Sequence, residues 1–305
     1  MNYTEDAILI PCQAESMVGI LAKPEAPLPV GVVVIVGGPQ YRAGSHRQFV
    51  LLSRWLACNG FTVLRFDYRG MGDSAGEWRD FEAVNADIGA TVDALQRVCL
   101  EVRRIVLWGL CDGASAALLY CDASADRRIS GLCLVNPWVR SAQSLARTQV
   151  KHYYRQRLMQ KEFWAKLLRG GVAWKALRGL AGNVRAATRP GGAAGTAGAS
   201  QLMSEAASLP FQERMALAWA GFQGNICLVL SNNDYTAKEF LEYSAQQRSW
   251  KRALGDRPPK RYDIDADHTF SGKAGGDALA FATLEWMTRL PAGGSMATSL
   301  TVKPG

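Results

Sequence analysis

The residues best suited to chemistry lie in Val106-Leu107-Trp108-Gly109-Leu110-Cys111-Asp112-Gly113-Ala114-Ser115, where an apolar run ends in Gly-x-Cys-x-Gly and small residues follow. A side chain held in a tight turn from strand to helix is pushed outward at the helix N-terminus. The crowding two residues to either side of it suits glycine. The partial positive charge of the helix end and a nearby imidazole would favour thiolate over thiol, which makes Cys111 the candidate nucleophile. With 30 glycines and 7 cysteines the pattern can also arise by chance, and a buried structural cysteine is the alternative. The other six, Cys12, Cys58, Cys99, Cys121, Cys133 and Cys227, have neither metal-like nor disulfide-like spacing and read as reduced thiols.

A thiol nucleophile needs a base and an acid that orients the base. The chain has three histidines. His152 falls in a basic segment and His46 at the start of a predicted helix, whereas His268, in Asp265-Ala-Asp-His-Thr-Phe-Ser271, follows the last predicted strand. A loop there can swing over the C-terminal edge of a parallel sheet, where Cys111 would also sit, so His268 is the candidate base, with a surface histidine as the alternative. Asp234 follows the apolar run Leu228-Val-Leu-Ser231 and precedes a helix, which makes it the candidate acid or, alternatively, a plain helix cap. Asp263, Asp265 and Asp267 compete, but lie too near His268 in sequence to reach behind its ring easily. For an oxyanion, the N–H of Asp112 directly after the nucleophile is one candidate donor. The loop Val36-Gly-Gly-Pro-Gln-Tyr41 offers another; Pro39 has no N–H, so Gln40 is preferred.

Alternating strands and helices must position these groups. An opening hairpin (Ala7–Pro11, Ser16–Ala22) is followed by strands at Gly31–Val36, Phe61–Phe66, Arg104–Trp108 and Ser130–Val135, with helices at His46–Asn59, Phe81–Leu100 and Ala114–Tyr120. Alternation resumes with a strand at Ile226–Leu230, a helix from Ala237 to near Leu254, a strand at Arg261–Ile264 and a helix at Gly276–Leu290. The pattern predicts an α/β fold with a mostly parallel sheet covered on both faces. The expected core is one discontinuous domain, 1–137 and 212–292. Residues 138–211 form a basic helical lid insertion with a mobile Gly/Ala-rich loop at 186–200, and 293–305 a flexible tail.

Charge is unevenly spread: the net charge is +8, yet residues 139–190 carry twelve Lys and Arg against Glu162 alone. Interleaved with Tyr153, Tyr154, Phe163, Trp164 and Trp174, this segment could contact an anionic membrane surface or a polyanion, or be a solvated helical face. No nucleic acid is expected, because no reading motif accompanies the charge. No cofactor or metal is expected, since the histidines are few and scattered and Gly70-Met71-Gly72 does not complete a dinucleotide fingerprint. The acidic N-terminus without a long apolar run predicts no signal peptide or spanning helix and a cytoplasmic protein, with a peripheral position at the inner membrane open to it.

A further segment, Arg65-Phe-Asp-Tyr-Arg-Gly-Met-Gly-Asp-Ser74, joins a strand to the next helix. Asp67, Arg69 and Asp73 there are read as loop structure rather than chemistry. Asp-x-Arg-Gly-x-Gly-x-Ser upstream of the Cys111 turn resembles the α/β-hydrolase superfamily over roughly residues 31–135 and 226–290. Val36 to Phe49, Phe66 to Ser74, Gly109-Leu-Cys-Asp-Gly113 and Asp267-His-Thr-Phe270 are similar to the exosortase A system-associated hydrolases of the smaller type. The resemblance implies an α/β-hydrolase fold, the order nucleophile, acid, histidine, and a bacterial cytoplasmic hydrolase associated with exopolysaccharide production. The cysteine departs from the common serine elbow, as in dienelactone hydrolases, and argues against ordinary lipase or peptidase activity.

The expected function is hydrolysis of a small-molecule or carrier-bound acyl ester or thioester through Cys111, His268 and Asp234. Acyl transfer through the same intermediate is one alternative. A non-catalytic scaffold for membrane or polysaccharide machinery is another, since fold does not fix activity.

Overall fold

The computed structural model describes residues 2–38, 40–140 and 209–290. Of these, 2–38, 40–139 and 209–290 belong to one compact unit that is discontinuous in sequence. The lid expected at 138–211, except for its few end residues, the Gly/Ala loop at 186–200, the tail at 293–305 and His152 lie outside the described residues.

Eight strands form one sheet: β1 (Tyr3–Cys12), β2 (Glu15–Pro24), β3 (Val30–Ile35), β4 (Thr62–Phe66), β5 (Arg104–Leu110), β6 (Ile129–Val135), β7 (Asn225–Ser231) and β8 (Lys260–Ile264). Their order is β1-β2-β4-β3-β5-β6-β7-β8. The β1–β2 hairpin joins β4 antiparallel, and all later pairings are parallel. The helices are α1 (Gln48–Cys58), α2 (Asn85–Val98), α3 (Asp112–Ser124), α4 (Phe211–Gly221), α5 (Tyr235–Gln246), α6 (Arg248–Asp256) and α7 (Lys273–Thr288).

The inner strands are apolar without alternation because both their faces are covered: every residue of β3 and β4 is buried, as is all of β5 after Arg104. Trp108 shows how the cover is locked. Its ring meets Phe49 of α1 edge-on at 5.7 Å, and its indole N–H donates to Thr283 of α7 at 3.3 Å. The other face carries α2, α3 and α4, and further along Trp250 of α6 packs edge-on against Trp219 and Phe240. The parallel pairings place the C-terminal ends of β3, β5, β6, β7 and β8 along one edge of the sheet.

Three local readings differ from the structure. His46 and Arg47 have left-handed φ of 52° and 61° within a 3-10 turn, so α1 starts only at Gln48. The helix expected from Ala237 to near Leu254 is two helices, because Gln247 is extended (φ −82°, ψ 134°) and redirects the chain so that Trp250 enters the core. Helix α4 falls where no element was expected; it is held to the core by Met215 and Trp219, both fully buried.

The loop Asp67–Gly76 is braced throughout. Asp67 accepts the Arg42 backbone N–H at 2.6 Å and the Asp73 N–H at 3.1 Å, and its carboxylate also pairs with the Arg42 guanidinium. Arg69 donates to Asp87 from its backbone (2.9 Å) and its guanidinium (2.7 Å), with both residues buried.

Candidate active site

Cys111 occupies the single residue between β5 and α3. Its backbone is held at φ 60°, ψ −125°, a conformation that costs a non-glycine residue about 1–3 kcal/mol and persists only where surrounding structure enforces it. The enforcing contacts are on both sides of the residue. Its N–H donates to the Val135 carbonyl at 2.9 Å, and its own carbonyl accepts from Ala114 (3.0 Å), Ser115 (3.3 Å) and Trp138 (3.2 Å). The flanking glycines answer to crowding: a Cβ on Gly109 would lie 2.4 Å from the Gly113 carbonyl oxygen, and one on Gly113 would lie 2.5 Å from that of Ile35. Cys111 itself is half-buried and outside any disulfide; the other six cysteines are also thiols, with Cys12, Cys99, Cys133 and Cys227 buried.

Asp234 and His268 meet. Asp234 follows β7 and caps α5, while His268 lies in the loop after β8. His268 Nδ1 is 2.8 Å from Asp234 Oδ2. The same carboxylate accepts the Thr236 N–H at Oδ1 (3.0 Å) and the Ala237 N–H at Oδ2 (3.2 Å). Asp234 is therefore a helix cap and the partner of the imidazole at once. Burial pushes its carboxyl up, but the hydrogen bond and charge of His268 and the two amides outweigh burial, leaving it below the usual carboxylate range. With the carboxylate on Nδ1–H, Nε2 is the acceptor tautomer position that a base needs.

The competing acids are engaged elsewhere. Asp263 pairs with Arg261, and Asp265 accepts from Asn233 Nδ2 at 2.6 Å. Asp267 accepts the Ser271 hydroxyl, the Ser271 N–H (3.2 Å) and the Thr269 N–H (2.8 Å); these bonds, the Ser271 hydroxyl foremost, lower its carboxyl to about 2. It shapes the loop that carries His268. His46 is exposed in the 3-10 turn that precedes α1.

The two residues expected to donate to an oxyanion are less simply arranged. The N–H of Gln40 donates to the Gly38 carbonyl at 2.8 Å, and its side-chain Oε1 accepts from the Ser45 N–H at 2.9 Å and hydroxyl at 3.3 Å. A role for the Gln40 N–H at an oxyanion thus requires the Gly38–Gln40 turn to open. The Gly38 N–H is taken by the Asp112 carboxylate, so the residue chosen for its backbone N–H also latches the opposite loop with its side chain. Burial raises the Asp112 carboxyl above its ordinary value against the amides of Gly38 and Gly113, which favour its charged form.

Sequence reasoning missed Asn136. It closes β6, is fully buried, and has a left-handed φ of 45°. Its side chain accepts the Ser231 N–H (2.8 Å) and donates to Ser231 Oγ (2.8 Å) and the His268 carbonyl (3.4 Å). The available signal was an Asn-Pro pair ending an apolar strand, which by itself marks any turn. Beside Gln40, an open cleft of about 440 Å³ is lined by Gln40, Tyr41, Met71, Gly72, Asp73 and Trp78. Among the described residues no cluster of His, Cys, Asp and Glu could hold a metal ion, and no helix is long and apolar enough to cross a membrane.

Comparison with known proteins agrees with this architecture. The family described as serine aminopeptidase, S33, matches residues 28–173. The esterase Pf2001 of Pyrococcus furiosus superposes with a TM-score of 0.62 at 16% identity, covering 95% of this chain and 91% of that one. The α/β hydrolase GrgF from a Penicillium species gives 0.58 at 15% identity, covering 94% and 99%. A curated Penicillium protein named polyketide transferase grgF is 29% identical over 102 residues, 32% of this chain and 34% of that protein. The chain thus aligns with only about a third of that relative's length. The fold is the α/β-hydrolase fold, and the match at 28–173 falls on the part of it that holds β3 to β6 and Cys111.

Proposed function

We propose that the chain hydrolyses an acyl ester or thioester through a covalent acyl-enzyme on Cys111. The observation that carries this reading is the 2.8 Å contact of His268 Nδ1 with Asp234, formed on the sheet edge at which β5 delivers Cys111 in a strained outward turn. His268 Nε2 takes the thiol proton, the Cys111 Sγ attacks the acyl carbon, and the Asp234 carboxylate stabilises the imidazolium. Collapse of the tetrahedral intermediate expels the alcohol or thiol, which takes the proton from His268. Water, deprotonated by His268, then attacks the thioester and frees the acid. The N–H groups of Asp112 and Gln40 hold the oxyanion, the latter once the Gly38–Gln40 turn has opened; each such donor is worth roughly 3 kcal/mol. The cleft beside Gln40, with Trp78 and Tyr41 exposed on its walls, receives the substrate.

Acyl transfer differs only in the second half-reaction, where an acceptor hydroxyl or amine replaces water. The partial similarity to a protein named a polyketide transferase favours keeping this second reading. The short motifs shared with exosortase A system-associated hydrolases support a place in exopolysaccharide production, and the basic segment at 139–190 supports peripheral contact with an anionic surface.

The test is intact-protein mass spectrometry after rapid mixing with a panel of p-nitrophenyl esters and acyl thioesters. The reading expects an acyl adduct that maps to Cys111 and disappears in Cys111→Ala. An adduct on another residue, or turnover that survives in Cys111→Ala, would contradict it. Adding acceptor alcohols and amines separates transfer from hydrolysis by product.

A further inference from the structure

We propose that Asn136 is a positioning residue that sets the alignment of His268 with Cys111, an inference that rests on the Cys111–His268 reading above. The segment from Val135 to Trp138 touches both partners' backbones. Val135 accepts the Cys111 N–H and Trp138 donates to the Cys111 carbonyl, so the nucleophile's two peptide groups are fixed to this segment. Between those contacts, the Asn136 amide reaches across the end of β7 and donates to the carbonyl of His268.

Every polar atom of the Asn136 amide is engaged. Its oxygen takes the Ser231 N–H, one N–H goes to Ser231 Oγ and the other to His268. Ser231 Oγ passes the linkage on by donating to the Asp267 carbonyl at 3.1 Å, so two consecutive carbonyls of the histidine loop are held from β6 and β7. Asn136 N–H is also donated to Val229, which leaves the residue little freedom to move. Asparagine suits the position twice over: it tolerates the left-handed backbone better than most residues, and its short amide offers both the acceptor and the two donors used here. Aspartate would set a carboxylate oxygen against a carbonyl, and leucine would leave buried polar groups unpaired. Asp234 fixes the ring of His268 from one side, and Asn136 fixes its main chain from the other.

Asn136→Gly tests this best, because glycine accepts φ 45° without strain and only the side chain is lost. A displacement of a catalytic group by about 1 Å costs on the order of a hundredfold in rate. The expected result is kcat for ester or thioester turnover lowered roughly hundredfold with KM changed less than threefold. The pH at which Cys111 alkylation accelerates should also rise, in protein with native circular dichroism. A role in stability alone would lower the melting temperature and leave the alkylation profile unmoved. An unchanged pH profile or kcat in folded Asn136→Gly would therefore overturn the proposal. If that variant does not fold, Ser231→Ala, which removes only the hydroxyl linkage, decides: a smaller upward shift of the same profile supports the proposal, and a wild-type profile overturns it. Should wild-type Cys111 show no dependence on His268 at all, the active-site reading itself fails and the proposal goes with it; coupling in wild type that persists in Asn136→Gly removes the proposal alone.

Discussion

Asp234→Ala removes one carboxylate from two settings whose energies can be read separately. As the cap of α5 it satisfies the Thr236 and Ala237 N–H groups, and losing a cap costs about 1 kcal/mol. For a folded unit of this size that is a fall in melting temperature of roughly 2–4 °C. As the partner of His268 it makes a charge-assisted bond, worth about 1.5–3 kcal/mol. Since the imidazolium must be present for the thiolate to form, losing that energy converts to a fall of up to roughly 10- to 150-fold in kcat/KM. Loss of the Nδ1–H tautomer adds to it, so about 10²- to 10⁴-fold is the expected range. The pH at which Cys111 becomes readily alkylated should rise, because the thiolate–imidazolium pair loses its neighbouring negative charge. The assay is kcat/KM on the best ester or thioester found, with melting curves on the same samples. A loss below about fivefold, or a loss matched by wholesale unfolding, would refute the reasoning. Asp234→Asn should fall between, because an amide can present oxygen to His268 only by turning its NH₂ toward the Thr236 N–H.

Four further outcomes are expected. Cys111→Ala and His268→Ala each abolish turnover with melting temperatures within a few degrees of wild type, checked by progress curves and calorimetry. Asp112→Ala, which frees the Gly38 N–H, lowers kcat at least about tenfold by misplacing one oxyanion donor, whereas Asp112→Asn keeps an acceptor for Gly38 and stays within a few-fold; steady-state kinetics on the pair checks this. Trp78→Ala raises KM several-fold with little change in kcat or stability, since Trp78 is 64% exposed on the wall of the cleft. The carboxyl of Asp234 is depressed in the folded protein, so its contribution to stability is fully present above its unfolded value near pH 4 and is lost as pH falls through the lower folded value. Urea melts from pH 6 to pH 2 should therefore show the gap between wild type and Asp234→Ala closing only below about pH 4.

The architecture was largely legible because the buried parallel strands leave plain signals. The runs at 30–35, 105–110 and 226–230 are apolar on both faces, and each ends just before a candidate residue or a glycine turn. The Asp234–His268 contact followed from placing both residues after successive strands of one sheet. What was not legible depends on tertiary fit. Gln247 interrupts a stretch with no proline to announce it, because seating Trp250 against Trp219 and Phe240 outweighs continued helix. The left-handed His46 and Arg47 have no glycine to mark them. Asn136 looks like an ordinary strand terminator until its partners, 95 and 132 residues away, are known. The engaged state of the Gln40 N–H is likewise a matter of loop conformation, which Gly-Gly-Pro-Gln does not dictate.

The account turns on whether Cys111 is a thiolate coupled to His268. Peptide mapping by mass spectrometry of iodoacetamide alkylation from pH 5 to pH 9, comparing all seven cysteines in wild type and His268→Ala, measures that coupling directly. The account predicts that Cys111 reacts fastest well below pH 8, and that in His268→Ala it reacts only as the pH rises toward the range of an ordinary thiol. A Cys111 no more reactive than exposed Cys58, or one whose profile is the same with and without His268, would contradict it.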